Sequence, residues 1–152
     1  MPAAVADRLG TDRGALLDAV SADVLARSHD ARGLAPKAAV GRLAAEGRKV
    51  VVDVREVSGD WARGVAYVEA SRARHGEPEG WLYIAHREDG RWVPGLEGDR
   101  EFAEHVARSP LVGTAERRTM TAYAERKATP KRRSGSWPTP TGCCCPGCPT
   151  TT

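Results

Sequence analysis

Metal-dependent or acid–base chemistry needs histidines, cysteines or carboxylates brought to one point, so the spacing of those residues is the first test of what a chain can catalyse. Four histidines and four cysteines are present. The histidines are His29, His75, His86 and His105, and no two stand at the i, i+2 or i, i+4 spacing that aims two imidazoles at one ion. His29 and His105 read as helix-surface residues, His75 as a loop residue and His86 as a residue near a strand end, all four structural or solvated. Cys143, Cys144, Cys145 and Cys148 fall together at the C-terminal end. Four thiolates match the ligand count of a zinc or copper site, but a structural zinc site sets two separated Cys pairs across a folded loop. Three adjacent cysteines cannot all face one ion without strain, so no native metal and no cofactor is expected. Asp53, Glu56, Glu69, Glu97 and Asp99 are the carboxylates from which a general-acid pair would come, and nothing in their spacing brings two into one apolar pocket.

Trp61, Trp81 and Trp92 stand near the starts of segments that read as paired strands. They would form an aromatic shelf for a ligand if they shared a face, although tryptophan in such places more often packs a core or an edge. The sheet surface around Trp61, Tyr67, Trp81 and Trp92 is the expected partner contact.

The elements that would carry these residues follow from periodicity. Leu16, Leu17, Val20, Val24 and Leu25 recur at helical spacing between Arg13 and Ser28, with Thr11 or Asp12 as caps. A short second helix is expected from Pro36 to Glu46, with Gly41 inside it and Gly47 near its end. From Lys49 to Val57, Val50, Val52 and Val54 share one parity while Val57 is out of step, and Ser58-Gly59-Asp60 turns the chain into Trp61–Ala70. A second hairpin follows, with Gly80–Arg87 and Arg91–Glu97 joined at Asp89-Gly90. Pro94 lacks a backbone donor and belongs at a sheet edge, a bulge or a ladder end. Asp99 is placed to cap a last helix through Phe102, Val106 and Ala107 that stops before Pro110.

The expectation is an α+β fold, with an N-terminal helix packed on a curved antiparallel sheet of about four strands in two hairpins, a short C-terminal helix and a disordered tail. Residues 1–9 are expected as a disordered N-terminus and 10–112 as the folded domain. Residues 113–133 read as a basic linker with helical potential, and 134–152 as a disordered Ser/Thr/Pro/Cys tail.

Composition limits function further. At 152 residues, with 41% hydrophobic and 5% aromatic positions, one modest domain fits and a large multidomain enzyme does not. The core must be mostly Val, Leu and Ala. The net charge of +3 is uneven, because residues 113–133 hold seven Lys or Arg against Glu116 and Glu125. Residues 1–112 are left mildly acidic, unlike a nucleic-acid-binding fold with its basic face, so no nucleic-acid partner is expected. No apolar run is long enough to span a membrane, and Asp7 and Arg8 interrupt the N-terminus where an export signal needs its apolar stretch. Taken as it stands, that start implies a cytoplasmic protein.

Several segments match a known ordered set: Gly59-Asp60-Trp61-Ala62-Arg63-Gly64, Pro78-Glu79-Gly80-Trp81-Leu82-Tyr83-Ile84-Ala85, Asp89-Gly90-Arg91-Trp92, and Leu96-Glu97-Gly98 before Glu101-Phe102-Ala103. Over residues 49–108 the chain resembles the N-terminal accessory domain of actinobacterial secreted metallopeptidases of the lysostaphin-like class. The pattern there is a strand pair with a Trp-Ala-x-Gly turn, a second pair with Asp-Gly-x-Trp, and a helix opening near a Phe. Arg63 and Pro94 stand where the pattern has an aromatic and an apolar residue. The resemblance implies a cystatin-like or nuclear-transport-factor-2-like fold, an extracellular or cell-wall location, and a partner that is a peptidase catalytic domain or a wall polymer. It implies no catalysis by these residues, since the family's zinc motifs, His-x-x-x-Asp and His-x-His, are absent from the sequence.

Thr141-Gly142-Cys143-Cys144-Cys145-Pro146-Gly147-Cys148 adds a clue from the genetic code. If the run is written TGC-TGC-TGC-CCT-GGG-TGC, one C inserted after the glycine codon turns Cys-Cys-Cys-Pro-Gly-Cys into Leu-Leu-Leu-Pro-Trp-Val, and Thr-Gly-Leu-x-Leu-Pro-Trp opens the catalytic domain in the resembled family. The expectation is a truncated, frameshifted fragment of such a peptidase. The alternative is a precursor of a ribosomally made, modified peptide whose core is the Ser-, Thr- and Cys-containing C-terminus.

Overall fold

Val57 is brought back into step by a β-bulge. In a computed structural model of the chain, residues 1–31, 33–70 and 78–128 are described, with side chains as far as residue 123. Strand β1 (Val50–Ser58) pairs antiparallel with β2 (Trp61–Val68), Val54 opposite Gly64 and Glu56 opposite Arg63, so Arg55 is the extra residue. One extra residue shifts the alternation by one position. Val57 therefore faces the same side as Val50, Val52 and Val54, opposite Ala62.

Strands β3 (Glu79–Glu88) and β4 (Arg91–Leu96) complete a four-stranded meander in the order β1-β2-β3-β4. Asp89 and Gly90, both at positive φ (50° and 76°), make the tight turn between them. Pro94 lies in β4, an edge strand, as its missing donor requires.

One sheet face, here called inner, carries Val54, Val57, Ala62, Ala66, Val68, Tyr83, Ala85, Trp92 and Leu96, all buried. Helix α2 (Arg13–Arg27) lies across it and touches every strand through its fully buried Leu16, Val20 and Val24. This helix on this sheet is the expected α+β arrangement. Helix α3 (Pro36–Ala45) seats Ala39 and Leu43 in the same core, leaving Gly41 exposed.

Three features differ from the sequence expectation. Residues 1–9 are not outside the domain: Ala3–Leu9 forms helix α1, which buries Val5 and Leu9, one helical turn apart, in the main core. Asp12 and Asp99 occupy the N-cap positions of α2 and of α4 (Arg100–Arg108), but neither side chain bonds its helix. The Asp12 carboxylate goes to Arg87 and that of Asp99 to Arg27, at 3.2 Å. Lastly, helices cover both faces of the sheet, because α4 crosses the outer face over β3 and β4. Its backbone comes so close that a Cβ on Gly95 would stand 2.4 Å from the Phe102 nitrogen. Ile84, Phe102, Val106 and Val112 form a second, smaller core there, with Trp61 and Met120 against it.

The segment expected as a basic linker with helical potential is helical over Thr114–Ala128, named α5. Residues 129–133 of that linker, the 134–152 tail with Cys143, Cys144, Cys145 and Cys148, and His75 lie outside the described residues.

Gly64 stands inside β2 rather than in a turn, opposite the bulge, where a Cβ would sit 1.9 Å from the Asp53 carbonyl oxygen. Gly64→Ala should therefore cost about 1–3 kcal/mol in urea unfolding, as backbone must shift to admit it. Gly41→Ala, in open space within α3, should gain about 0.5–1 kcal/mol.

Candidate functional site

The four aromatic residues expected to share a contact surface divide between the two faces. Trp61 and Tyr67 alternate with the buried Ala62, Ala66 and Val68 of β2 and point outward. Trp81 pairs with Ala66 and belongs to the inner face, packed against the main core, while Trp92 is a buried member of that core. Arg87 lies over the Trp92 ring, 5.7 Å from its centroid. A shelf of all four does not form, because Trp81 and Trp92 lie in odd register with Trp61 across the ladder.

What the outer face does build is a cleft of about 300 Å³. Val65, Leu82 and Ile84 of the sheet, Phe102 of α4 and Met120 of α5 give it an apolar lining. Leu82 is 40% exposed, among the few large apolar side chains so open to solvent. Arg63 stands at the rim and donates to Glu56 within the sheet and to Glu116 of α5 at 2.9 Å. These carboxylates hold the guanidinium above its ordinary range against the opposing effect of burial, the largest single influence on it. Arg55 lines the same cleft from the bulge and is itself paired with Asp53 at 3.4 Å.

Helix α5 owes its position to Arg117. That side chain donates to the carbonyls of Val106, Ser109 and Val112 at 3.0–3.1 Å, closing the open end of α4 and the turn that follows it. Cations at a helix C-terminus bind carbonyls left without intrahelical partners. The basic composition of 113–133 gave no hint that one arginine would be internal to the fold.

Beside the cleft stands a group that the spacing of the histidines concealed. His105 is 4% exposed and not a helix-surface residue, since α4 turns it onto the sheet. Its Nε2 donates to the Val93 carbonyl at 2.9 Å, and its Nδ1 is buried with no partner among the described residues. His86 of β3 stacks on Trp61 at 4.0 Å, and the His105 ring meets the edges of both, at 5.5 Å from Trp61 and 6.2 Å from His86. Glu88 reaches the His86 Nδ1 at 3.0 Å, which holds its carboxyl below the ordinary range. Burial, with His86 and Arg108 adding to it, pushes the His105 imidazole below its ordinary value, while the Val93 bond and Glu88 oppose the shift. His29 is exposed, and its backbone nitrogen donates to Glu79.

The carboxylates singled out by sequence are dispersed. Asp53 faces the Met1 ammonium at 3.1 Å, which depresses its carboxyl, Glu56 serves Arg63, and Asp99 serves Arg27. Asp23 of α2, not singled out, is pushed up by burial and then by its neighbours Asp99 and Glu101. The Tyr83 hydroxyl is buried beside Gly64 without a partner among the described residues, and burial raises it strongly. No cluster of three or more His, Cys, Asp or Glu side chains among the described residues could hold a metal ion, and no helix there is long and apolar enough to cross a membrane.

No protein-family model, curated protein or solved structure matches the chain.

Replacing Arg117 by Met should detach α5 while leaving the sheet intact, since three carbonyl bonds are lost and what is left among the described residues is Met120 against the small core and the partly exposed Arg63–Glu116 pair. Far-UV circular dichroism should lose about one helix of signal and trypsin should cleave within 114–128, whereas near-UV signals from the buried Trp92 and Tyr83 should persist. Undiminished helix content would refute the tether.

Proposed function

We propose that this chain is a non-catalytic accessory domain of a secreted peptidoglycan metalloendopeptidase, present as a truncated, frameshifted fragment, and that it docks the catalytic domain through the outer sheet face. The observation that carries the docking surface is the cleft bounded by Leu82, Val65, Ile84, Phe102 and Met120. Its volume suits one or two apolar side chains of a protein partner, framed by the Arg63–Glu56–Glu116 pairs that would fix orientation. The ordered Trp-Ala-x-Gly, Asp-Gly-x-Trp and Phe segments support the family, and a helix across an antiparallel sheet is the fold that this resemblance implies.

The partner surface is accordingly redrawn. Trp61 and Tyr67 remain on the contact face, while Trp81 and Trp92 serve the core behind it.

Sequencing the gene from the codon for Lys131 through several hundred bases beyond the stop tests the family. A single missing base, followed by a frame encoding His-x-x-x-Asp and His-x-His, is expected. The restored catalytic domain, produced separately, should then bind the full chain in calorimetry, and Leu82→Glu should weaken that binding at least tenfold by placing a charge in the cleft. A confirmed frame with no downstream peptidase would overturn the reading and favour the modified-peptide precursor, which predicts a mass deficit of one water for each dehydrated Ser or Thr. Binding to isolated cell-wall sacculi, unaffected by Leu82→Glu, would instead make this a wall-anchoring domain.

A further inference from the structure

Helix α4 is held on the outer face by apolar contact and by a histidine whose neutral form is the one the site accommodates. The Val93 carbonyl can only accept, so the His105 Nε2 bears the proton, and the neutral ring keeps its lone pair at the buried Nδ1. A second proton would place a charged N–H in a site that offers it no acceptor among the described residues. The surroundings add to the cost. His86 faces the ring from β3 at 6.2 Å, and Arg108 lies one turn along α4, itself 5.9 Å from the Trp61 ring. From β4 comes Arg91, on the same face as Val93, and from α5 comes Arg117, bound to the Val106 carbonyl. The opposing charges are Glu88, which is bonded to His86, and the α4 carboxylates Glu101 and Glu104, of which Glu104 pairs with Arg100.

We propose that α4, with α5 tethered to it, is an acid-released cover over the outer sheet face, kept shut by the neutral His105 imidazole. Release uncovers Ile84, Trp61 and the apolar side of α4, while α2 and the main core on the opposite face stay folded. Among the described residues the two cores share no buried residue, which lets one open without the other. The sign follows from linkage. A histidine whose value in the docked state lies below its ordinary 6.5 binds its proton more readily once released. Docking is thus strongest above about 6.5 and weakens as pH falls, by at most about tenfold per pH unit for one proton. This inference stands apart from the docking partner, since no ligand is needed to observe it.

The test is hydrogen exchange on the full-length chain between pH 7.5 and 5.0, with protection factors corrected for intrinsic exchange. Protection in α4 and α5 should begin to fall below about pH 6.5, by no more than about tenfold per unit, while α2 and β2 retain theirs. His105→Gln keeps a donor for the Val93 carbonyl but cannot titrate, and its α4 protection should be independent of pH. Arg108→Gln, at a largely exposed side chain, removes a charge that disfavours imidazolium in the docked state and should make the loss smaller, its onset near pH 6.5 unchanged. Should the His105 variant fail to fold, the Arg108 variant decides alone. A wild-type pH dependence in either variant, or loss of α2 and β2 protection in step with α4, would overturn the proposal.

Discussion

The structure depends on one sheet face staying apolar along its whole length, and the bulge at Arg55 is what keeps it so. Without the extra residue, Val57 would face outward, leaving α2 a gap in the sheet it covers. With it, a row of small side chains on β2, Ala62, Gly64 and Ala66, runs beneath the helix, and larger residues from β1 and β3 close in from either side. The same bulge points the Asp53 carbonyl at Gly64, so that position is bound to glycine by a contact between strands rather than by a turn.

A core with so few aromatic residues leaves long arginines to connect the layers. Arg27 joins α2 to the Glu97 carbonyl and to Asp99 at the start of α4. Arg48, nearly buried, holds Asp30, Glu46 and the Glu69 carbonyl together where α3 meets β1. Arg87 gathers Asp12 and Asp60, and Arg63 and Arg117 fix α5. Exposed ion pairs are individually worth about 0–1 kcal/mol, so most of these set geometry more than they add stability. Arg27, Arg48 and Arg117 differ, because their backbone carbonyl partners would lose a charge-assisted bond. Redirection of Asp12 and Asp99 from capping to ion pairing belongs to the same pattern: each carboxylate ties its helix end to another element.

The amphipathic helix, both hairpins, the edge position of Pro94 and the helix opening near Asp99 were legible because each depends on short-range periodicity or turn chemistry. Val57 out of step was the visible trace of the bulge. Helix α1 was missed because Val5 and Leu9 are too few apolar residues to establish a period, and their burial depends on β1, some forty residues further along. The division of the tryptophans required the ladder register, which strand composition does not determine. His105 was misread for a related reason: in α4 it lies next to Val106, and only the course of the helix across Gly95 turns it inward. An extra methyl at Gly95 would have blocked that course, so the informative signal lay in the glycine of β4 and not in the histidine.

The cost of an unpartnered Nδ1 raises the question of why an imidazole stands there at all. A buried acceptor left without a donor costs about 1–3 kcal/mol, which a leucine at the same place would avoid. Leucine would, however, make no polar bond to the sheet: Val93 stands opposite His86 in the ladder, and its carbonyl takes a further bond from the His105 Nε2. The open edge of β4 is guarded by Pro94, whose missing N–H withdraws a donor from pairing with other chains. The opposite edge, β1, is guarded differently, with Arg8 of α1 donating to the Val57 carbonyl at 3.3 Å and the bulge interrupting its ladder. A histidine thus fastens α4 to β4 by a polar bond that an apolar side chain cannot make. The bond that fastens α4 also fixes the proton on Nε2, and it is this that leaves Nδ1 bare and makes the docking of α4 sensitive to a second proton.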